Sequence, residues 1–331
     1  MLELSDFYIP KEIPHRENQI NDIKQIFQNF KKYKSGSNLI IFGVTGSGKT
    51  TIVKRVIEEE NNSIYVSGSD TQTTYKTIKA FFNLKIQTHE ELLRRTIEML
   101  QKEPKIIIID EVDKINDLVC LFNDLNTIYR KTMVPIIVIT LKHNLIAGIP
   151  VDAKKTLYFE KMVLPAYNSI ELKDILVSRI NQIKDEIPKI NEGTINYISA
   201  IAGRQGSARA LLTILLKCIQ KRNFNHDFIE EVYKQMLHDE CFDYLEDIND
   251  TEREFLNHMI ESCDYEKETT SEILEKKIGL SNARVSQLLN IFEKYSLIKT
   301  YHKNLGRGGG RKRMIKFCSK EIYDELTKRF V

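Results

Sequence analysis

Eight consecutive residues, Gly43-Val44-Thr45-Gly46-Ser47-Gly48-Lys49-Thr50, have the types and spacing that phosphate chemistry requires. Backbone N–H groups must converge on phosphate oxygens in conformations that a Cβ obstructs, so such a loop is built on glycine. A helix that follows it points its positive end at the phosphates. Lys49 is spaced to reach the β- and γ-phosphates of ATP and the Thr50 hydroxyl to ligate Mg2+, with Thr51 beside it. A second constellation, Asp110-Glu111, closes the apolar run Ile106–Ile109. Asp110 at such a strand end holds Mg2+ directly or through water, and Glu111 polarises an attacking water. Asp113 continues the acidic run and reads as a helix N-terminal charge. Thr140 and Asn144 both qualify as the polar group that orients the water.

These residues need elements to position them, and the pattern supplies them. Glu17–Tyr33 reads as an amphipathic helix, with Ile20, Ile23, Ile26, Phe27 and Phe30 on one face. After the turn Ser35-Gly36-Ser37 come four short apolar strands: Asn38–Phe42, a second near Ser63–Val66, Lys105–Ile109 and Pro135–Thr140. Short, wholly apolar strands alternating with helices imply a parallel sheet covered on both faces, an α/β layer structure. From Pro165 the texture is helical: Ser169–Lys184, Asn191–Ala202, Ser207–Lys221 and Asp227–Glu240. An acidic stretch, Asp239 to Asp250, leads to a last segment. Three domains are therefore expected: 1–164, α/β; 165–245, all-helical; and 246–331.

The last segment reads as helices Thr251–Ser262, Thr270–Ile278 and Asn282–Tyr295, then a basic hairpin. Val285, Leu288, Leu289 and Phe292 share one face of the third helix. Ser281 caps it, and Asn282, Arg284, Gln287 and Asn290 point elsewhere, as a helix entering a major groove requires. Between Lys299 and Lys316 there are seven Lys or Arg and no Asp or Glu. The tip, Gly306 to Arg313, carries Arg307, Arg311, Lys312 and Arg313, which can displace counterions from duplex DNA; Lys303 and Lys316 fit phosphates at the edge.

Composition excludes little else. The 331 residues are 42% hydrophobic and 29% charged, with a net charge of +3. The apolar runs are far shorter than the ~20 residues of a membrane helix. Met1 to Asp6 lacks a signal-peptide pattern, so an intracellular, cytoplasmic and nucleoid-associated protein is expected. Five cysteines lie far apart without zinc-ligand spacing and read as packing thiols.

The chain resembles the archaeal replication initiators related to the origin recognition complex and the cell-division-cycle helicase loader. The resemblance is carried by Pro14-His15-Arg16-Glu17, by Ser37 to Gly43 with the phosphate loop, and by Ile109 to Asp113. It continues in Pro165-Ala166-Tyr167-Asn168, Glu171 to Leu176, and Gly206-Ser207-Ala208-Arg209-Ala210-Leu211. It implies an AAA+ ATPase domain, a helical lid and a C-terminal winged helix. His15, Arg16 and Tyr167 would then lie against the nucleotide, and Arg209 would be the second sensor on its γ-phosphate. An arginine in a helix's first turn is poorly placed for the helix dipole, which a phosphate would offset. Two departures stand out. The family's arginine after the fourth strand, acting in trans, has Asp152 nearest its place, with Lys154 or Lys155 the available substitutes; Leu141 stands near the first-sensor asparagine. Both argue for ATP binding with slow hydrolysis. The functions implied are origin recognition on duplex DNA with ATP and ADP as a switch, partnered by a replicative helicase and other initiator copies. A nucleotide-switched regulator or plasmid replication factor is the second reading, and a non-DNA ATPase whose winged helix binds protein the third.

Overall fold

The computed structural model describes residues 2–5, 8–141, 145–185, 187–246, 248–263, 268–295, 297–304, 311–318 and 320–330. Two compact units divide the chain, Met1–Ile229 and Glu230–Val331.

The first unit is built on a five-stranded parallel sheet: β1 (Leu39–Gly43), β2 (Ser63–Ser67), β3 (Ile106–Asp110), β4 (Ile136–Thr140) and β5 (Glu160–Leu164), in the order β2-β3-β4-β1-β5. Each residue of β1, β3 and β4 is buried, which is why these strands read as continuous Ile, Leu and Val runs. β2 lies at one edge and alternates, presenting Ser63, Tyr65 and Ser67 on its more open side. β5 goes beyond the four strands expected. It is the other edge and exposes Glu160, Lys161 and Val163, so its apolar signal is confined to Met162 and Leu164. Asn38, buried just ahead of β1, joins the layers: Nδ2 donates to the Leu157 carbonyl and Oδ1 accepts from the Ile136 amide.

Parallel order brings all five C-terminal strand ends to one edge, the place where α/β sheets bind ligands. Gly43, Asp110 and Thr140 therefore converge. The helix Glu17–Tyr33 forms over the span expected, burying Ile23, Ile26, Phe27 and Phe30. Beyond β5 the chain is helical, with Ser169–Gln182, Glu192–Gly203 and Ala208–Lys221 capped by Asn168, Asn191 and Ser207.

The helix His226–Glu246 contains the division between the units. The acidic stretch read as a connection is thus helical through Glu246, and Cys241, Leu245 and Ile248 are buried in the second core. The second unit carries helices Asp250–Ser262, Ser271–Ile278, Asn282–Lys294 and Lys320–Phe330. Strands β6 (Thr269–Thr270), β7 (Ile298–Asn304) and β8 (Arg311–Phe317) form an antiparallel sheet in the order β6-β8-β7. Three helices closed by this sheet, with β7 and β8 as the hairpin, give the element order of a winged helix. No helix of the described residues is long and apolar enough to cross a membrane.

Candidate functional site

The phosphate loop leaves β1 at Gly43 and enters the helix Lys49–Glu60. Gly46 and Gly48 take φ values of 76° and 92°, where a side chain is strained. Gly46 also has no room for one: a Cβ would lie 2.1 Å from the Ser207 Oγ. The Ala208 amide donates to the Gly46 carbonyl at 3.0 Å, so the helix Ala208–Lys221 begins on the loop itself. Lys49 is buried and donates through Nζ to the carbonyls of Gly43 (2.7 Å) and Val44 (2.8 Å). Ser47 is fully buried, and its Oγ has no hydrogen-bond partner among the described residues.

A cavity of about 620 Å³ opens over the loop, within the ~300–1,000 Å³ of small-ligand sites. Thr45, Gly46, Gly48, Lys49, Thr50 and Thr51 line its floor, while Gly43, Val44 and Ser47 support the loop from outside the lining. Asp110 is buried at the end of β3. Its Oδ2 accepts from the Thr50 hydroxyl at 2.7 Å and from the Tyr65 phenol at 2.8 Å; its Oδ1 accepts from the Glu111 amide at 2.8 Å. Burial and the Asp110 carboxylate push the Tyr65 phenol far up, so it remains a donor. Glu111 takes the left-handed conformation, φ 49°, costly for a residue with a side chain. The Ser67 hydroxyl donates to its Oε2 at 3.0 Å. Gly68 leaves space for the Glu111 carbonyl, which a Cβ there would meet at 2.3 Å.

Thr140 lines the cavity, but its hydroxyl donates to Asp113 Oδ1 at 2.7 Å, and the Leu141 amide reaches the same oxygen at 3.2 Å. Asp113, read from sequence as a helix N-terminal charge, does stand in the first turn of the 3-10 helix Val112–Lys114, and it also ties the end of β3 to the end of β4. Asn144 lies outside the described residues. Arg209, the second residue of its helix, is exposed and lines the cavity, as does buried Tyr167. Burial pushes the Tyr167 phenol up to about 12, with the Arg16 guanidinium pulling it back. Asp152 and Lys155 are exposed on the helix Val151–Leu157.

His15 and Arg16, expected against the nucleotide, stand beside the cavity lining. Neither lines the cavity; Ile9, Pro10, Ile13 and Pro14 of that segment do. Arg16 is 2% exposed and spends its donors on backbone carbonyls: Nε on Ser47, Nη1 on His15 and Nη2 on Pro165. It stacks 3.8 Å from the Tyr167 ring centroid, a strut between loop and lid. His15 Nε2 meets Asp174 Oδ2 at 2.9 Å. Sequence reading also missed Arg179, buried in the cavity wall over the Tyr8 ring, with its Nη1 unpaired among the described residues. Tyr65 and Ser67 were missed too, although alternate polar residues on an edge strand were a usable signal.

In the second unit Ser281 caps its helix by accepting from the Arg284 amide, and Ser281, Asn282, Arg284, Gln287 and Asn290 are exposed while Val285, Leu288, Leu289 and Phe292 are buried. Asn282 Nδ2 donates to Glu275 at 2.6 Å, and Arg284 Nη1 to Gln287 at 3.2 Å. Two of the expected DNA-contacting cations are already paired. Lys312 Nζ lies 2.7 Å from Glu272 Oε2, and Arg313 Nη2 reaches Asn290 (2.9 Å) and Glu293 (3.4 Å). Glu272 reaches β8, and Glu293 bonds both Thr300 of β7 and Arg313 of β8, pairings that sequence spacing could not reveal. Arg307 lies outside the described residues; Arg311 opens β8 opposite Asn304.

Comparison with known proteins fits these features. A family model described as an AAA domain matches residues 32–144. The ORC1-type DNA replication protein 2 of Thermoplasma acidophilum is 28% identical over 256 residues, 70% of this chain and 63% of that protein. The ORC1-type DNA replication protein 1 of Sulfurisphaera tokodaii is 28% identical over 345 residues, 92% of this chain and 86% of that protein. The chain is thus similar to archaeal proteins named ORC1-type DNA replication proteins. Among solved structures, the Aeropyrum pernix ORC1 protein in complex with DNA superposes with a TM-score of 0.68 at 18% identity, covering 99% of this chain and 95% of that one. That likeness shows that the chain shares the fold of that structure.

Proposed function

We propose that this protein is an ATP-dependent, DNA-binding replication initiator that recognises origin duplex DNA and uses ATP and ADP as a conformational switch. The observation that carries the switch is the hydrogen bond from the Ala208 amide to the Gly46 carbonyl. Through it the phosphate loop and the helix bearing Arg209 are one connected assembly, so a ligand on the loop bears on the position of that helix.

The residues present fit ATP with Mg2+. Two positive-φ glycines, the buried unpaired hydroxyl of Ser47 and the Thr50–Asp110 contact form a cradle for phosphate oxygens and a hard cation. Thr50 and Asp110 would hold Mg2+, which when bound neutralises phosphate charge. Lys49 exchanges the Gly43 and Val44 carbonyls for phosphate oxygens. Arg209 contacts the γ-phosphate from the lid side, and Tyr167 and Pro14 line the nucleotide's walls. The Glu111 carboxylate, held by Ser67, would accept a proton from an attacking water, and Thr140, held by Asp113, would line the same end of the sheet. Asp152 and Leu141, where an arginine and an asparagine would speed turnover, keep hydrolysis slow.

In the second unit the exposed face of Asn282, Arg284 and Gln287 enters the major groove, while Arg307 and Arg311 follow the backbone. The relatives' names support DNA replication as the setting, and the proposal extends it to origins as the target and to a role in placing a replicative helicase together with other copies of the chain. Genome-wide footprinting tests the reading. Discrete peaks at replication starts are expected; peaks spread over promoters would replace the initiator with a transcriptional regulator.

A further inference from the structure

Away from the nucleotide cavity, three potential metal ligands from distant parts of the sequence meet on the flank of the first unit. His89 is the first residue of the helix His89–Lys102; Cys120 and Asp124 lie four residues apart on the helix Leu118–Thr132 and so share a face. The imidazole nitrogen, the thiol sulfur and a carboxylate oxygen all lie within 4.8 Å of one another, and no other such cluster exists among the described residues.

Two features set this cluster apart from a simple ion pair. Asp124 is 8% exposed, and beyond their approach to each other neither its buried Oδ2 nor the buried Nε2 of His89 has a hydrogen-bond partner among the described residues. The two atoms lie 2.7 Å apart as an ion pair, with the Cys120 thiol sulfur within 4.8 Å of both. Cys120 is on the exposed side of that space, which leaves an entry path. The surroundings are fixed: Asp117, the residue before the helix, accepts from the Thr74 amide, and the Tyr75 ring packs 6.4 Å from the His89 ring.

We infer that His89, Cys120 and Asp124 bind a borderline-soft divalent cation of the Zn2+ class. Thiolate, imidazole and carboxylate together select Zn2+-like ions, because a hard cation such as Mg2+ or Ca2+ gains little from sulfur. Tetrahedral bonds of about 2.0–2.3 Å separate ligand atoms by roughly 3.3–3.8 Å, so the His89–Asp124 contact opens by under ~1 Å on binding. Side-chain rotation suffices for that. The thiol loses its proton to solvent as the metal–sulfur bond forms, and the fourth position, facing water, remains open. The ion joins two helices that flank β3, the strand carrying Asp110. Sequence spacing gave no hint of this, since His89 and Cys120 lie 31 positions apart and the cysteines show no pairwise motif.

The test uses the full chain, stripped with chelator and titrated with Co2+ and then Zn2+. One Co2+ per chain is expected, with tetrahedral visible bands and a near-ultraviolet thiolate-to-cobalt band that Zn2+ bleaches. Cys120→Ser should abolish the near-ultraviolet band, and Cys318→Ser should leave it intact. His89→Gln should weaken Zn2+ more than the ~10–100-fold typical of losing an outer-shell partner. A near-ultraviolet band that is absent, or that survives Cys120→Ser, overturns the site, as does unchanged Zn2+ affinity in His89→Gln. Cys120 lies on the surface, so its variant reads metal binding without putting the core at risk.

Discussion

The phosphate loop of the first unit and the recognition face of the second differ in how they hold their polar groups. Around the loop, Lys49, Arg16 and Asp110 are buried and each is engaged by protein atoms: two carbonyls, three carbonyls, and a hydroxyl, a phenol and an amide respectively. On the helix Asn282–Lys294 the side chains of Asn282, Arg284, Gln287 and Asn290 are exposed, and their contacts are surface bonds such as Arg284 to Gln287 and Arg313 to Asn290. The first region is pre-organised, so a ligand there exchanges existing bonds for new ones and the geometry is fixed by backbone. The second is adaptable, its strength set by salt and by the partner. Changes in the first should therefore disturb fold and binding together, and changes in the second binding alone.

Arg16→Ala is the sharpest way to break this contrast. It removes three charge-assisted bonds and a stacked ring, a loss of roughly 3 kcal/mol in stability, read as a lower Tm of the first unfolding transition. An unchanged Tm with weaker ATP binding would mean Arg16 serves the nucleotide after all. Next in size, Lys49→Ala should cost about 1.5–3 kcal/mol of ATP affinity by titration calorimetry, with duplex DNA binding in the absence of nucleotide unaffected.

Arg284→Ala should leave Tm in place and weaken duplex DNA by about 1–3 kcal/mol if the contact is bidentate to a base, or lower the salt slope by about one if it is to phosphate. Fluorescence anisotropy over a salt series distinguishes the two. Glu272→Gln should give the smallest change. Lys312, whose ammonium now holds the Glu272 carboxyl below its usual range, is released toward DNA, for a gain of at most about fivefold at low salt. A loss would show that Glu272 positions Lys312 instead of competing for it.

The same contrast explains what was legible beforehand. β1, β3 and β4 announce themselves because burial on both faces demands unbroken apolar runs, and the loop does so because glycine is the residue its conformations require. The exposed and buried faces of the helix Asn282–Lys294 were also readable, since helical periodicity sorts them. Edge elements were not: β5 carries Glu160 and Lys161, and β6 has two residues. Nor were partners fixed by long-range packing. Arg16 meets Pro165 across 149 residues, Tyr65 meets Asp110 across 45, and Lys312 meets Glu272 across 40. Such pairs depend on topology, which local pattern does not encode. Asp113 shows the cost most clearly: its charge was visible, but not that it would bond the end of β4.

The central claim, that ATP bound at Gly43–Thr50 controls the grip on DNA, is tested most directly by duplex DNA affinity measured across a salt series with saturating ATP and with saturating ADP. The expected affinity falls steeply with salt and differs between the two nucleotides by about 5–150-fold, with the difference lost in Lys49→Ala. Identical DNA affinities in ATP and ADP, at every salt concentration, would contradict it.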